Sequence, residues 1–120
     1  MKLKKFGFFD TGSLDERKQL LKQLRGTQEH EAKKKIASYL RNGAELMMAA
    51  GITRDPLNEK HQIVGAPHVL TDGAWAWTAD VVYYLEKYNI RLPEELIENM
   101  KQNEWTIPQG VDLRSLELEL

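Results

Sequence analysis

Residues 69–77 read Val-Leu-Thr-Asp-Gly-Ala-Trp-Ala-Trp and contain two of the three tryptophans in the chain. Asp72-Gly73 lies between two runs of β-forming residues, and Asp-Gly is a preferred pair for a two-residue type I′ hairpin turn. The pattern therefore predicts a β-hairpin over residues 68–77. A turn at Asp72-Gly73 sets the register, with Thr71 facing Ala74 and the next pairs following in order.

The two faces of this hairpin differ in bulk, because side chains alternate between faces along a strand. One face carries His68, Leu70, Trp75 and Trp77, and the other carries Val69, Thr71, Ala74 and Ala76. The small-residue face predicts the close approach of a helix. We expect Trp77 to pack in the core and Trp75, nearer the turn, to be partly exposed.

Cap and stop signals around the hairpin predict four helices. The first runs from the cap Ser13 to Gly26, and the second from the cap Thr27 to Gly43. The third begins after Thr78, with Asp80 in its first turn, and ends at Asn89. The fourth starts at Leu92-Pro93, because proline suits the first helical position.

The remaining segments predict strands and one long loop. Residues 3–9 are read as an edge strand, residues 44–50 as a buried strand and residues 51–66 as a loop, in which function often resides. The alternation in residues 113–120 is strand-like. The expected fold is one α+β domain over residues 1–120, with about four helices packed on a small antiparallel sheet that contains the hairpin.

Composition restricts the function classes. The chain has no cysteine and a net charge of −1, and no apolar run approaches the length of a membrane-spanning helix. Residues 1–60 hold 13 Lys and Arg against 8 Asp and Glu, a net charge of +5, whereas residues 61–120 hold 4 against 10, a net charge of −6. We expect a cytoplasmic protein that contacts no membrane and carries one basic and one acidic half.

No catalytic or cofactor motif is visible. The three histidines, His30, His61 and His68, lack ligand spacing, so we expect no metal site and no cofactor. Asp72 is explained by turn geometry rather than by general-base chemistry. The serines lack a nucleophile elbow, and no glycine-rich phosphate loop is present. We therefore assign no catalytic residue.

A family resemblance adds to this reading. Its motifs are Ser-Tyr-Leu-Arg-Asn-Gly-Ala at 38–44, Asp55-Pro56, Leu-Thr-Asp-Gly-Ala-Trp-Ala-Trp at 70–77, Tyr-Tyr-Leu-Glu-Lys-Tyr at 83–88 and Leu-Pro-Glu-Glu-Leu at 92–96. In these motifs the chain resembles a group of small bacterial proteins similar to the immunity proteins of polymorphic toxin and contact-dependent growth inhibition systems. The resemblance covers about residues 36–112, implies binding to a cognate toxin domain, and carries over no functional residue.

Two functions follow as hypotheses. The first is a non-enzymatic immunity protein that binds a cognate, basic toxin domain, such as a nuclease, through Asp72, Trp75, Glu86 and Glu98. Acidic and aromatic side chains together are typical of binding centres that recognise basic proteins. The alternative is a small nucleic-acid-binding or regulatory module that uses the basic first half, with its lysines at 2, 4, 5 and 33–35. The net charge of −1 and the absence of a reading motif favour the first and predict no nucleic-acid partner.

Overall fold

The computed structural model describes residues 2–9, 12–48 and 50–116 and has an α+β architecture. The strands are β1 (Lys4–Phe6), β2 (Ala44–Met47), β3 (Thr53–Arg54), β4 (Ile63–Gly65), β5 (Val69–Thr71) and β6 (Trp75–Thr78), and the helices are α1 (Leu14–Leu24), α2 (Lys33–Arg41), α3 (Val81–Tyr88) and α4 (Glu94–Gln102), with a short 3-10 helix at Leu113–Ser115. The α+β class and the four helices expected from the sequence are confirmed within these residues.

The main sheet has four strands in the order β1-β6-β5-β2. β5 pairs antiparallel with both β6 and β2, but β1 pairs parallel with β6. The prediction of a purely antiparallel sheet is therefore wrong. Parallel neighbours need a long connection, and here most of the chain lies between β1 and β6. Residues 3–9 do supply an edge strand, as expected.

The hairpin is present, but its register differs from the prediction by two residues. Thr71 pairs with Ala76 rather than with Ala74, and Gly73 lies at the tip with a φ of 98°. The reason is the Asp72 side chain, whose Oδ1 accepts hydrogen bonds from the backbone N–H groups of Ala74 and Trp75. A shift of two residues leaves every side chain on its predicted face.

The helices do not approach the small-residue face of the hairpin. That face packs against Leu3, Phe8, Leu46 and Leu116. The tryptophan face instead forms the main core with side chains from all four helices. Gly43 shows how tight this packing is, because a Cβ there would lie 2.7 Å from the Trp77 ring.

Two helix starts differ from the prediction. Thr78 remains in β6, and its hydroxyl donates to Asp80 at 2.5 Å, so α3 begins at Val81 with Asp80 at its cap position. α2 begins at Lys33 rather than after Thr27, because residues 30–32 form a turn in which Nδ1 of His30 accepts from the N–H of Ala32. The other signals hold: Ser13 caps α1 and Asn89 ends α3 with a φ of 51°.

Three strand and loop predictions are corrected. β2 is a strand, but it lies at a sheet edge and exposes alternate residues instead of being buried, and Met48 beside it is 71% exposed. The predicted loop at 51–66 contains the two-stranded ribbon of β3 and β4. Residues 113–115 form a 3-10 helix rather than a strand, and residues 117–120 lie outside the described part of the chain.

Candidate functional site

A partner-binding role for Asp72 requires an exposed side chain at the hairpin tip. The structure shows instead that Asp72 is buried, with only 3% of its surface exposed. Its Oδ2 accepts hydrogen bonds from the Tyr39 hydroxyl at 2.5 Å and from Nδ2 of Asn99 at 2.6 Å. Together with the two N–H groups of the tip, this carboxylate satisfies four donors. Asp72 therefore fastens the hairpin to α2 and α4, and has no surface left for a partner.

Tyr39 completes this buried network. Its hydroxyl donates to Asp72 and accepts from Nδ2 of Asn103 at 2.9 Å. Burial raises the pKa of Tyr39 well above its usual range, and the hydrogen bond to Asp72 raises it further. The phenol is therefore held neutral and acts as a hydrogen-bond donor to Asp72.

Trp75 is also more buried than expected, with 7% of its surface exposed. The Lys4 ammonium lies 5.8 Å from the centre of its ring, a cation–π contact. Trp75 forms the floor of a groove of about 330 Å³ between the hairpin and α4, which we call the Trp75 groove. The other residues that line it are Lys4, Ala74, Glu95, Glu98, Asn99 and Gln102.

The exposed side of α4 is acidic. Glu94, Glu95 and Glu98 lie within its first two turns, and we call them the acidic ridge. Glu95 contacts Lys4 at 2.9 Å and Glu98 contacts Lys101 at 3.9 Å, with the two glutamate side chains 73% and 64% exposed. Exposed pairs of this kind are held weakly, so both carboxylates remain available to a stronger cationic partner.

The structure brings together three of the four predicted binding residues and separates the fourth. Trp75 and Glu98 line the Trp75 groove. Asp72 lies beneath it and accepts a hydrogen bond from Asn99, which also lines the groove. Glu86 lies instead on α3, where it forms an ion pair with Arg41 of α2. A single patch of all four residues is therefore not present.

Lys33, Lys34 and Lys35 line one groove, but carboxylates line it with them, namely those of Glu29, Glu31 and Glu86. Lys33 points to the end of α3, where it donates to the Glu86 carbonyl and to Asn89, and it contacts Glu29. Lys35 lies over the Trp105 ring at 5.6 Å. Lys33 and Lys35 are thus directed to different neighbours. This arrangement gives no support to the predicted nucleic-acid-binding module.

Asp55 is another buried carboxylate, and its role was not predicted from the sequence. Asp55 is fully buried, and its Oδ2 accepts from the hydroxyls of Tyr83 at 2.8 Å and Tyr88 at 2.6 Å. The Lys87 ammonium lies 3.8 Å from the same oxygen. Burial raises the pKa of both tyrosines, and their bonds to Asp55 also raise it. This cluster anchors the 51–66 segment to α3.

In the sequence, Asp55-Pro56 marks the predicted 51–66 loop, and an Asp-Pro pair favours the start of a turn. The turn is present, since Oδ1 of Asp55 accepts from the N–H of Leu57 at 2.8 Å. The second oxygen turns inward to the tyrosines, and this role depends on residues 28 and 33 positions away in the sequence.

Comparison with protein-family models, with curated proteins and with solved structures gave no match. Within the described residues, no three His, Cys, Asp or Glu side chains are grouped so that they could hold a metal ion. No helix in that part of the chain has the length and apolar character needed to cross a membrane.

Proposed function

We propose that this chain is a non-enzymatic immunity protein that binds and neutralises a cognate bacterial toxin domain in the cytoplasm, and that the acidic ridge of α4 contacts a basic surface of that domain. The observation that carries the proposal is the set of three exposed glutamates on one short helix beside the Trp75 groove. Acidic surfaces of this kind accelerate association with basic partners by electrostatic steering.

Two further points support the proposal. The motifs at 38–44, 70–77 and 92–96 resemble those of a group of small bacterial proteins that is similar to immunity proteins. Two of the buried carboxylates, Asp72 and Asp55, accept hydrogen bonds from tyrosine hydroxyls and backbone N–H groups, and Asp72 also accepts one from an asparagine amide. Their arrangement fixes loops in place, as a rigid recognition surface requires.

The proposed surface differs from the one first expected. Asp72 is omitted because it is buried, and Glu86 is omitted because it is paired with Arg41 on another helix. Glu98 and Trp75, which both line the Trp75 groove, remain in the proposed surface, and Glu94 and Glu95 are added to it. A charge reversal at Asp72 would test the fold rather than binding.

The test is the association rate with a candidate basic toxin domain chosen from the gene neighbourhood of this chain, measured by stopped flow at low and at moderate ionic strength. In the double variant Glu95→Lys/Glu98→Lys, we expect association at low salt to slow by about tenfold or more and to lose most of its salt dependence, because steering scales with the local field.

The matched control is Glu45→Lys/Glu59→Lys, which makes the same change of net charge at two exposed positions that lie outside α4 and line neither depression beside it. We expect its association rate to stay close to that of the parent. Equal slowing in both double variants would show that only net charge matters. Unchanged rates in the α4 variant would remove the acidic ridge from the binding surface.

A further inference from the structure

A second depression lies on the other side of α4. Glu95, Glu98, Asn99 and Gln102 face the Trp75 groove, whereas Glu94 and Ile97 face this depression, as helical periodicity requires. Its volume is about 400 Å³, within the range of about 300–1,000 Å³ typical of ligand sites. We call it the Ile97 pocket.

The floor of the Ile97 pocket is apolar. It is formed by Ile36 of α2, Leu85 of α3, Ile90 and Leu92 of the connecting segment, and Ile97 of α4. Four of these five are buried residues of the main core, which fixes the floor, and Ile97 is the partly buried one that packs against them. A floor of branched aliphatic side chains favours an apolar group rather than a polar ligand.

The walls of the pocket are held by backbone hydrogen bonds. The N–H of Gly26 donates to the Asn89 carbonyl at 3.0 Å, and the N–H of Arg91 donates to the Leu24 carbonyl at 2.8 Å. These bonds fasten residues 24–26 to residues 89–91. The 28–30 segment then crosses to α2 and forms the outer rim, so the pocket is preformed.

The charged side chains on the rim of the Ile97 pocket differ in their ion pairs and hydrogen bonds. Glu29 is 3.2 Å from the Lys33 ammonium, and the Arg91 guanidinium donates to the Gln23 carbonyl at the end of α1. Glu94 has no ion pair with any residue in the described part of the chain. The rim therefore offers one carboxylate to an incoming cation, directly above an apolar floor.

We propose that the Ile97 pocket binds a large aliphatic side chain of a partner polypeptide, with a basic residue next to it in sequence placed against Glu94. The inference deepens the proposed function and rests on it, because the partner is taken to be the basic toxin domain. The Ile97 pocket holds the anchoring side chain, and the acidic ridge beside it guides the surrounding basic surface.

The chemistry of this anchor follows from how interfaces distribute their energy. A few buried anchors usually carry most of the affinity, while rim charges set orientation and rate. The acidic ridge alone is fully solvated and supplies mainly steering. An apolar pocket at its edge supplies the desolvated contact that a tight inhibitor needs.

The probe is the dipeptide acetyl-Leu-Arg-amide, titrated into the full, isotopically labelled chain and followed by amide chemical shifts. We expect saturable shifts at residues 90–97 and at 28–30. Acetyl-Ala-Arg-amide, which lacks the anchor, and acetyl-Leu-Glu-amide, which reverses the charge, should each bind more weakly. Equal shifts with all three peptides, none at these residues, or tighter binding of the acidic peptide would overturn the proposal.

The variant Glu94→Gln removes the rim carboxylate and should weaken acetyl-Leu-Arg-amide by about twofold to fivefold, as expected for one exposed ion pair. Its matched control is Glu98→Gln, on the same helix but facing the Trp75 groove, which should leave peptide affinity unchanged. If both substitutions weaken the peptide equally, Glu94 has no specific role and the proposed anchor is wrong.

The variant Ile97→Trp, which fills the Ile97 pocket, separates this inference from the proposed function. We expect it to abolish peptide binding and to speed dissociation of the toxin domain by at least about tenfold, with association nearly unchanged. Toxin binding that is unaffected would overturn the anchor but leave the immunity function standing. If the parent binds the peptide but does not bind the toxin domain, the proposed immunity function is overturned and the peptide preference of the Ile97 pocket stands. If Ile97→Trp does not fold, the difference in peptide affinity between Glu94→Gln and Glu98→Gln tests the anchor by itself.

Discussion

Asp72 illustrates how one side chain can determine the geometry of a turn. Its two oxygens accept four hydrogen bonds at 2.5–2.9 Å, two from the tip of the hairpin and two from helices on either side. Bonds to a charged acceptor are shorter and stronger than neutral ones. The Tyr39 hydroxyl and the Trp75 N–H are buried donors that would lose their partner without Asp72. Removing the carboxylate therefore carries the cost of leaving them unsatisfied.

Replacing Asp72 by Ala should therefore lower the free energy of unfolding by about 3 kcal/mol or more, since each buried donor left unsatisfied costs about 1–3 kcal/mol. Urea unfolding followed by circular dichroism measures the loss. The exposed carboxylate variant Glu98→Ala is the control and should change stability by less than about 0.5 kcal/mol. A loss below about 1 kcal/mol for Asp72→Ala would contradict the four-donor network.

The partners of Asp72 explain why the sequence misplaced it. Asp-Gly correctly marked a turn, but Tyr39 and Asn99 lie 33 and 27 residues away, and no local pattern announces them. The predicted type I′ turn requires a positive φ at both Asp72 and Gly73, yet only Gly73 has one. The same limit applies to Asp55 and its two tyrosines. Buried polar contacts between distant residues decide both sites.

At the scale of the elements, the hairpin depends on the backbone freedom of Gly73. A residue with φ of 98° lies in a region that β-branched side chains avoid, although a Cβ there would meet only Val111 at 3.5 Å. Gly73→Val should therefore destabilise the domain through strain rather than through a clash, by about 1–3 kcal/mol.

Ala74→Val is the matched control for Gly73→Val, because Ala74 is the exposed neighbour at the same tip and lacks a positive φ. It should change the thermal midpoint little. Thermal unfolding of the two variants separates strain from bulk. Equal shifts in both would show that added volume, not backbone conformation, is what the tip cannot accept.

Elements with strong local signals were predicted well, and elements defined by packing were not. The Ser13 cap of α1 and the Asn89 stop of α3 follow from local chemistry. β3 and β4 are two and three residues long, too short to show alternation. The acidic ridge is visible in the sequence as the Glu94-Glu95 pair, but the helix dipole alone accounts for acidic residues in a first helical turn.

At the scale of the whole molecule, the two halves of the chain are interleaved. β1 and β2 come from the basic half and take the outer places of a sheet whose inner strands, β5 and β6, come from the acidic half. Ion pairs between the halves include Lys4 with Glu95 and Arg41 with Glu86. The opposite charges predicted from the sequence are therefore brought together, and neither half contains a complete sheet.

Interleaving predicts that the described part of the chain unfolds as one unit. Phe9, near β1, tests this, because it is 3% exposed and packs edge-to-face on Tyr84 of α3 with ring centres 5.4 Å apart. Phe9→Ala should lower the free energy of unfolding by about 3–5 kcal/mol, as is usual when a buried aromatic side chain is removed.

The loss should be global. Tryptophan fluorescence and far-ultraviolet circular dichroism should still give coincident urea transitions, both moved to lower urea, since one cooperative unit loses stability as a whole. Leu14→Ala, at a position 43% exposed, is the control and should move neither curve much. If Phe9→Ala leaves both curves in place and only speeds amide exchange in residues 2–9, then β1 is an appendage that the remaining three strands do not require.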